Sequence, residues 1–161
     1  MAIALTSAPL LLVQEPPASI EKVTEPRGLR TWFATLLESF ERTVSDETLD
    51  VATEVFVQLS GDVTSGWHFY LARTEGRPVG TCALHLENAA GVYSVGTLPS
   101  VRRQGIGTAL SLRALADARS AGYSIATLTA SELGARLYIA LGFKEYCRYR
   151  EYVWRPHAVP V

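Results

Sequence analysis

Pro99-Ser100-Val101-Arg102-Arg103-Gln104-Gly105-Ile106-Gly107-Thr108 joins an apolar run over residues 92–98 to an Ala- and Leu-rich run that continues to Ala121. The first run reads as a strand and the second as a helix, so these ten residues form a strand-to-helix turn with the pattern Arg-x-x-Gly-x-Gly. Glycines let a backbone approach an anion closely, and a helix N-terminus offers unpaired N–H groups with the positive end of its dipole. The arginines add long-range attraction. A pyrophosphate is the natural guest of such a turn, and a tight turn without a ligand is the plain alternative. A P-loop would space its glycines by four residues and follow them with Lys-Ser/Thr, and a dinucleotide fingerprint would add a third glycine and an acidic residue on a later strand. Neither pattern is present.

Working outward, residues 124–129 predict another strand, and Glu132 to Leu141 a short helix stopped by Gly142. The polarity of residues 144–154 alternates and the segment is rich in Tyr, which predicts a final strand. Upstream, residues 67–73 and 78–87 predict a hairpin around Thr74-Glu75-Gly76-Arg77, and Asn88 to Gly91 is a second turn. A strand near residues 20–24 precedes two helices. Leu29, Trp32, Phe33, Leu36, Leu37 and Phe40 share a face of the first. Ser45 caps the second, whose apolar side carries Leu49, Ala52, Val55, Phe56 and Leu59 and which Gly61 ends. The predicted order is β-α-α-β-β-β-α-β-α-β, an α+β fold whose central mixed sheet is mainly antiparallel and whose strand-helix-strand crossover around the glycine turn is right-handed and parallel.

With 161 residues, 48% hydrophobic and 19% charged, the chain suits one ordinary domain with a real core and excludes disorder or a fibrous fold. Residues 18–155 are expected to form that domain, with 1–17 an arm or extra strand and 156–161 a tail. The apolar run from Ala2 to Val13 has no preceding basic residue, which argues against secretion, and it falls short of the roughly 20 residues that span a bilayer. Cys82 and Cys147 fit neither a disulfide framework nor a metal-ligand cluster; they are expected to be ordinary buried thiols in a reducing, cytoplasmic setting, with no metal. Up to residue 90 there are 6 basic and 12 acidic residues, and from Gly91 onward 9 basic and 4 acidic. A basic half that meets phosphates and an acidic half that attracts a cation would fit this split, as would scattered solvated faces. Neither nucleic acid nor a membrane is implied.

The turn, taken with Leu137-Tyr138-Ile139-Ala140-Leu141-Gly142-Phe143, resembles the GNAT superfamily of N-acetyltransferases, whose coenzyme A site is a strand, Gln/Arg-x-x-Gly-x-Gly/Ala and a helix, followed later by Leu-Tyr-x-x-Leu-Gly-Phe. The resemblance covers roughly residues 20–154. It implies a GNAT-like fold, acetyl-CoA as acyl donor and a primary amine as acceptor. It also implies that backbone amides of Arg103, Gln104, Gly105, Ile106, Gly107 and Thr108 hold the pyrophosphate beside Arg102. The strand containing Val95, Thr97 and Leu98 would pair with the pantetheine arm, Ser131 would join the donor site, and Tyr138 would stand at the thioester sulfur. A homodimer through Tyr146, Tyr149 and Tyr152 of the last strand is a further expectation.

An amine attacking a thioester requires donors for the oxyanion, a proton acceptor for the amine and a donor for the leaving thiolate. Backbone N–H groups near Thr97 and Leu98 are candidates for the first role and Tyr138 for the third, with a core tyrosine as its bland reading. Many relatives carry a glutamate on the strand before the phosphate turn, but Val92-Tyr93-Ser94-Val95-Gly96 has no carboxylate or imidazole. His85 and Glu87, on one face of the preceding strand by period two, are therefore the candidate bases. His68 and a water held by Ser94 are weaker alternatives, as is attack by a low-pKa amine with no dedicated base. A noncatalytic acyl-CoA-binding module is the competing reading.

Overall fold

The computed structural model describes residues 1–6, 16–60 and 66–154. Its elements are β1 (Ala2–Ala4), β2 (Ser19–Val23), α1 (Pro26–Ser39), α2 (Asp46–Ser60), β3 (Trp67–Thr74), β4 (Arg77–Leu86), β5 (Ala90–Thr97), α3 (Ile106–Ser120), β6 (Ile125–Thr127) and α4 (Glu132–Ala140). One sheet runs β1-β6-β5-β4-β3-β2. Every neighbouring pair is antiparallel except β5 with β6, the pair on either side of α3. The parallel crossover expected around the glycine turn is thus present. The β3–β4 connection carries positive φ at both Glu75 (52°) and Gly76 (79°), the backbone a two-residue hairpin loop uses to match strand twist.

Two apolar clusters sandwich the sheet. On one face α3 and α4 pack Ile106, Leu110, Leu115 and Tyr138 on Tyr70, Cys82 and Leu84. On the other, α1 packs Leu29 and Trp32 on Phe69, Leu71 and Ala83, with Phe56 of α2 alongside. Trp32 also donates its Nε1 proton to the Tyr70 carbonyl oxygen at 3.0 Å, which anchors α1 to the strands. The helix signals hold locally: the Thr48 N–H donates to Ser45 Oγ at 3.2 Å, and Gly122 and Gly142 follow α3 and α4 with φ of 89° and 95°.

Several expectations need correction. Residues 144–154 form no strand; only Lys144 pairs, with Ala2. The reason is competition for one sheet edge: β1 lies along β6 with Ala2 opposite Thr127 and Ala4 opposite Ile125, so the edge of β6 away from β5 is taken. Tyr146, Tyr149 and Tyr152 are left exposed. Phe40 lies beyond the last turn of α1 and is 57% exposed. Ala52 and Val55 face solvent, and Thr53 points inward instead, its hydroxyl donating to the Leu49 carbonyl oxygen. Cys147 is exposed, not buried. Gly61 and the Leu59 side chain lie outside the described residues.

Candidate active site

The turn between β5 and α3 begins with one 3-10 turn at Pro99–Val101 and reaches the helix through Gly105, whose φ of 85° is left-handed and strains any residue with a Cβ. The first α3 amide with an acceptor is that of Ala109, on the Gly105 carbonyl oxygen at 3.0 Å. By helix geometry the four N–H groups of residues 105–108 have no partner within the helix and point out of its end. A Cβ built on Gly107 would meet only Leu137 Cδ1 at 3.4 Å and Thr97 Oγ1 at 3.7 Å, so packing does not demand glycine there. The missing side chain keeps the first turn bare. Arg103 and Gln104 are exposed, and Arg103 has no ion pair among the described residues. Main-chain donors, a dipole end and an uncommitted arginine fit a pyrophosphate.

Arg102 is a different case. Its guanidinium donates to the Thr97 carbonyl oxygen (3.3 Å), the Ser39 carbonyl oxygen (2.8 Å) and Glu41 Oε1 (3.3 Å), so its donors turn back toward the end of α1.

Beside the turn the sheet opens. β5 pairs with β6 only at Ala90–Ala126 and Gly91–Thr127, and β6 stops there while β5 continues to Thr97. From Val92 onward the β6-facing edge of β5 has no strand partner among the described residues, which leaves a slot there for an extended arm. A bulge opposite Cys82 re-aims β5: Ser94 takes a φ of 51°, and its carbonyl oxygen accepts the Thr81 hydroxyl at 2.9 Å. The ladder then resumes with the Leu98 N–H on the Val79 carbonyl oxygen at 2.9 Å. That amide is therefore committed and cannot serve an oxyanion, which corrects the expectation for Leu98. Antiparallel alternation turns the neighbouring Thr97 N–H toward the open slot. Val95 is half-buried on the α3 side.

Tyr138 is buried where α4 meets α3 and β4. Its ring packs edge-on against Phe143 with centroids 5.8 Å apart. Burial pushes its hydroxyl up to about 12, with the buried Cys82 thiol adding to the rise and a hydrogen bond to Ser111 opposing it. The Ser111 hydroxyl in turn donates to the Gly107 carbonyl oxygen at 2.8 Å, which links Tyr138 to the first turn of α3. Ser131 is the N-cap of α4, its Oγ accepting the Gly134 N–H at 3.2 Å.

The candidate bases separate. His85 is inside β4, opposite Trp67 and Gly91, on the α1/α2 face of the sheet. Its ring stacks on Trp67 at 4.3 Å. Glu87 lies past the end of β4 and is exposed. His68 pairs with Leu84 and so faces α3; burial, helped by Lys22, lowers its pKa, and its buried Nδ1 has no hydrogen-bond partner among the described residues. The sequence reading missed Tyr93, 48% exposed, whose ring is tilted against Trp67 and lies over Gly91. It also missed a cavity of about 620 Å³ between the end of α1 and the phosphate turn, lined by Leu37, Glu38, Glu41, Val44, Pro99 and Ser100 among others. Among the described residues no group of three or more His, Cys, Asp or Glu is placed to hold a metal, and no helix is long and apolar enough to cross a membrane.

Comparison with solved structures returns the same architecture. Glucosamine-6-phosphate N-acetyltransferase from Arabidopsis thaliana superposes with a TM-score of 0.67 at 14% identity, over 85% of this chain and 99% of that one. A predicted acetyltransferase with acetyl-CoA from Clostridium acetobutylicum gives 0.64 at 17% identity, over 84% and 95% of the two chains. A transcriptional regulator from Bacillus halodurans gives 0.68 at 22% identity, over 85% and 99%. At these identities the likeness is one of fold. Comparison with curated proteins gives no match. The model of the acetyltransferase (GNAT) domain matches residues 65–145, which is 81 of 161 residues and takes in the hairpin, the opened sheet edge, the phosphate turn and Tyr138. The chain belongs to the GNAT acetyltransferase family.

Proposed function

We propose that the chain is an N-acetyltransferase that moves an acetyl group from acetyl-CoA to a primary amine by direct attack on the thioester. The observation that carries this reading is that the bare amides at the start of α3 lie next to an edge of β5 with no strand partner among the described residues. The first suits a pyrophosphate and the second an extended pantetheine arm. Acetyl-CoA, when bound, supplies an electrophilic carbonyl and a thiolate leaving group.

The residues divide the remaining work across the sheet. His85 is on the α1/α2 face and Tyr138 on the α3/α4 face, so proton removal from the amine and stabilisation of the sulfur occur on opposite sides of the slot. Deprotonating a lysine-like amine at pH 7 costs roughly 4.6 kcal/mol from a reference pKa of about 10.4. His85 accepts that proton through a relay of waters, since its β5 partner Gly91 lies well back along the strand from Thr97, and Glu87 is left exposed to solvent. The Thr97 N–H faces the oxygen that gains charge, a contribution of about 3 to 4 kcal/mol for one such donor. Tyr138, held near 12 against about 8.5 for a thiol, stays protonated and, exchanging its Ser111 partner for the sulfur when the donor binds, gives the sulfur a hydrogen bond and keeps its proton. The proton from the amine leaves through His85, and the thiol takes its proton from solvent.

The test is a thiol-release assay with acetyl-CoA and a panel of amines. Release of free coenzyme A that requires an amine supports the reading; saturable acetyl-CoA binding with no release for any amine contradicts it and leaves a binding module.

A further inference from the structure

We propose that Arg102 is a positioning residue that hangs the loop of residues 40–45 on the turn before α3, so that donor binding at the turn orders the loop that walls the neighbouring cavity. This rests on the reading of the turn as a donor site. The three acceptors of its guanidinium are the Thr97 carbonyl oxygen at the end of β5, the Ser39 carbonyl oxygen at the end of α1 and the Glu41 carboxylate in the loop itself. A planar fork with donors fixed in one plane can hold three separated oxygens at once, which an ammonium cannot do with the same geometry. The anchor on α1 is itself rigid: Ser39 is buried, its hydroxyl donates to the Leu36 carbonyl oxygen at 2.7 Å, and it fills the space a side chain on Gly96 would need.

The loop needs such a tie. Glu41 holds a left-handed φ of 56°, a strained backbone for a residue with a Cβ, and every residue from Phe40 to Ser45 is exposed. The same loop walls the cavity of about 620 Å³ through Glu41, Arg42, Thr43 and Val44, and the opposite wall is Leu98, Pro99 and Ser100 at the start of the turn. Arg102 spans the two walls. Paired with Glu41, it adds little net charge at the turn, and the neighbouring Arg103 has no ion pair among the described residues.

Hydrogen exchange read by mass spectrometry tests the proposal on the full chain, with and without acetyl-CoA, in the wild type, Arg102→Ala, Arg102→Lys and Glu41→Gln. In the wild type acetyl-CoA slows exchange in both 103–108 and 40–45. In Arg102→Ala and Arg102→Lys it slows 103–108 only, and acetyl-CoA affinity falls by less than about fivefold, the scale of an exposed ion pair. Glu41→Gln, outside the turn, weakens the loop protection and leaves affinity at the wild-type value. An affinity loss above about tenfold in Arg102→Ala makes the residue a phosphate ligand and overturns the proposal. Undiminished protection of 40–45 in that variant overturns it too. If acetyl-CoA protects nothing in the wild type, the donor-site reading fails separately. Exchange of 40–45 without ligand then decides the tie: faster in Arg102→Ala supports it and equal rates overturn it.

Discussion

His85 stands directly across from Gly91 in the β4–β5 ladder, and the Tyr93 ring lies over that glycine with its hydroxyl 2.7 Å from where a Cβ would sit. A side chain at position 91 would have to displace Tyr93, so the proposed base at this end of β5 is the β4 residue His85. His85→Ala is expected to lower kcat about 10²- to 10⁴-fold, the usual scale for removing a general base, with acetyl-CoA affinity unchanged. Glu87→Ala is expected to keep wild-type kcat. Initial rates with a fixed amine and varied acetyl-CoA check both, and the reverse pattern would move the base to Glu87.

Tyr138 titrates too high to shape activity near neutrality. Burial raises its pKa from 10 to about 12, so the hydroxyl is protonated throughout the working range. Tyr138→Phe should therefore reduce kcat with little change in acetyl-CoA affinity, while any limb of the pH–rate profile between about pH 6 and 9 stays where it is in the wild type. A limb that vanishes in the phenylalanine variant would assign that titration to Tyr138.

The same shift has a stability consequence. A group whose folded-state pKa is raised contributes stability that is complete below the unfolded value and lost as pH rises through the folded one. The window for Tyr138 is thus pH 10 to about 12. At most about 3 kcal/mol is involved, and Tyr138→Phe should lose less stability across that window than the wild type. Tyr70, raised by burial and by its hydrogen bond to Asp117, keeps a residual dependence in both proteins. Urea midpoints at pH 9 and pH 11 provide the comparison.

At the phosphate turn, a bulky acid placed where the helix end is bare should block the donor. Gly107 has an ordinary helical backbone, so Gly107→Glu adds side chain and charge without the strain that Gly105→Glu would add at a φ of 85°. Acetyl-CoA binding should vanish by calorimetry while far-UV circular dichroism keeps its wild-type shape.

A packing prediction tests the close approach of α1 to β5. A Cβ on Gly96 would overlap Ser39 Oγ, so Gly96→Ala should destabilise the protein by about 1 to 3 kcal/mol as α1 is pushed from the sheet. Ser39→Gly in the same chain should recover part of that loss.

Local signals were the legible ones. The turn around Gly105, the Ser45 cap, the Glu75-Gly76 hairpin and the glycines after α3 and α4 depend on residues a few positions apart, and each stands where the residues predicted it. The alternation of residues 144–154 predicts a strand equally well, yet a strand needs an edge, and Ala2–Ala4 holds the one beside β6. Nothing local announces that competition. Arg102 is similar: its motif suggests a phosphate ligand, but its shortest hydrogen bond goes to a carbonyl oxygen 63 residues away. The group of Trp67, His85 and Tyr93 depends on how three strands register, with Trp67 opposite His85, His85 opposite Gly91 and Tyr93 opposite Ala83, so period-two counting within one strand does not assemble it.

The most direct test of the central claim is the melting temperature of the purified chain with and without acetyl-CoA. Saturation at 100 times Kd adds about 2.7 kcal/mol, which for a chain of this length raises Tm by roughly 5 to 10 °C. The account predicts that rise with acetyl-CoA and none with NADH or ATP at the same concentration; no rise at millimolar acetyl-CoA would contradict it.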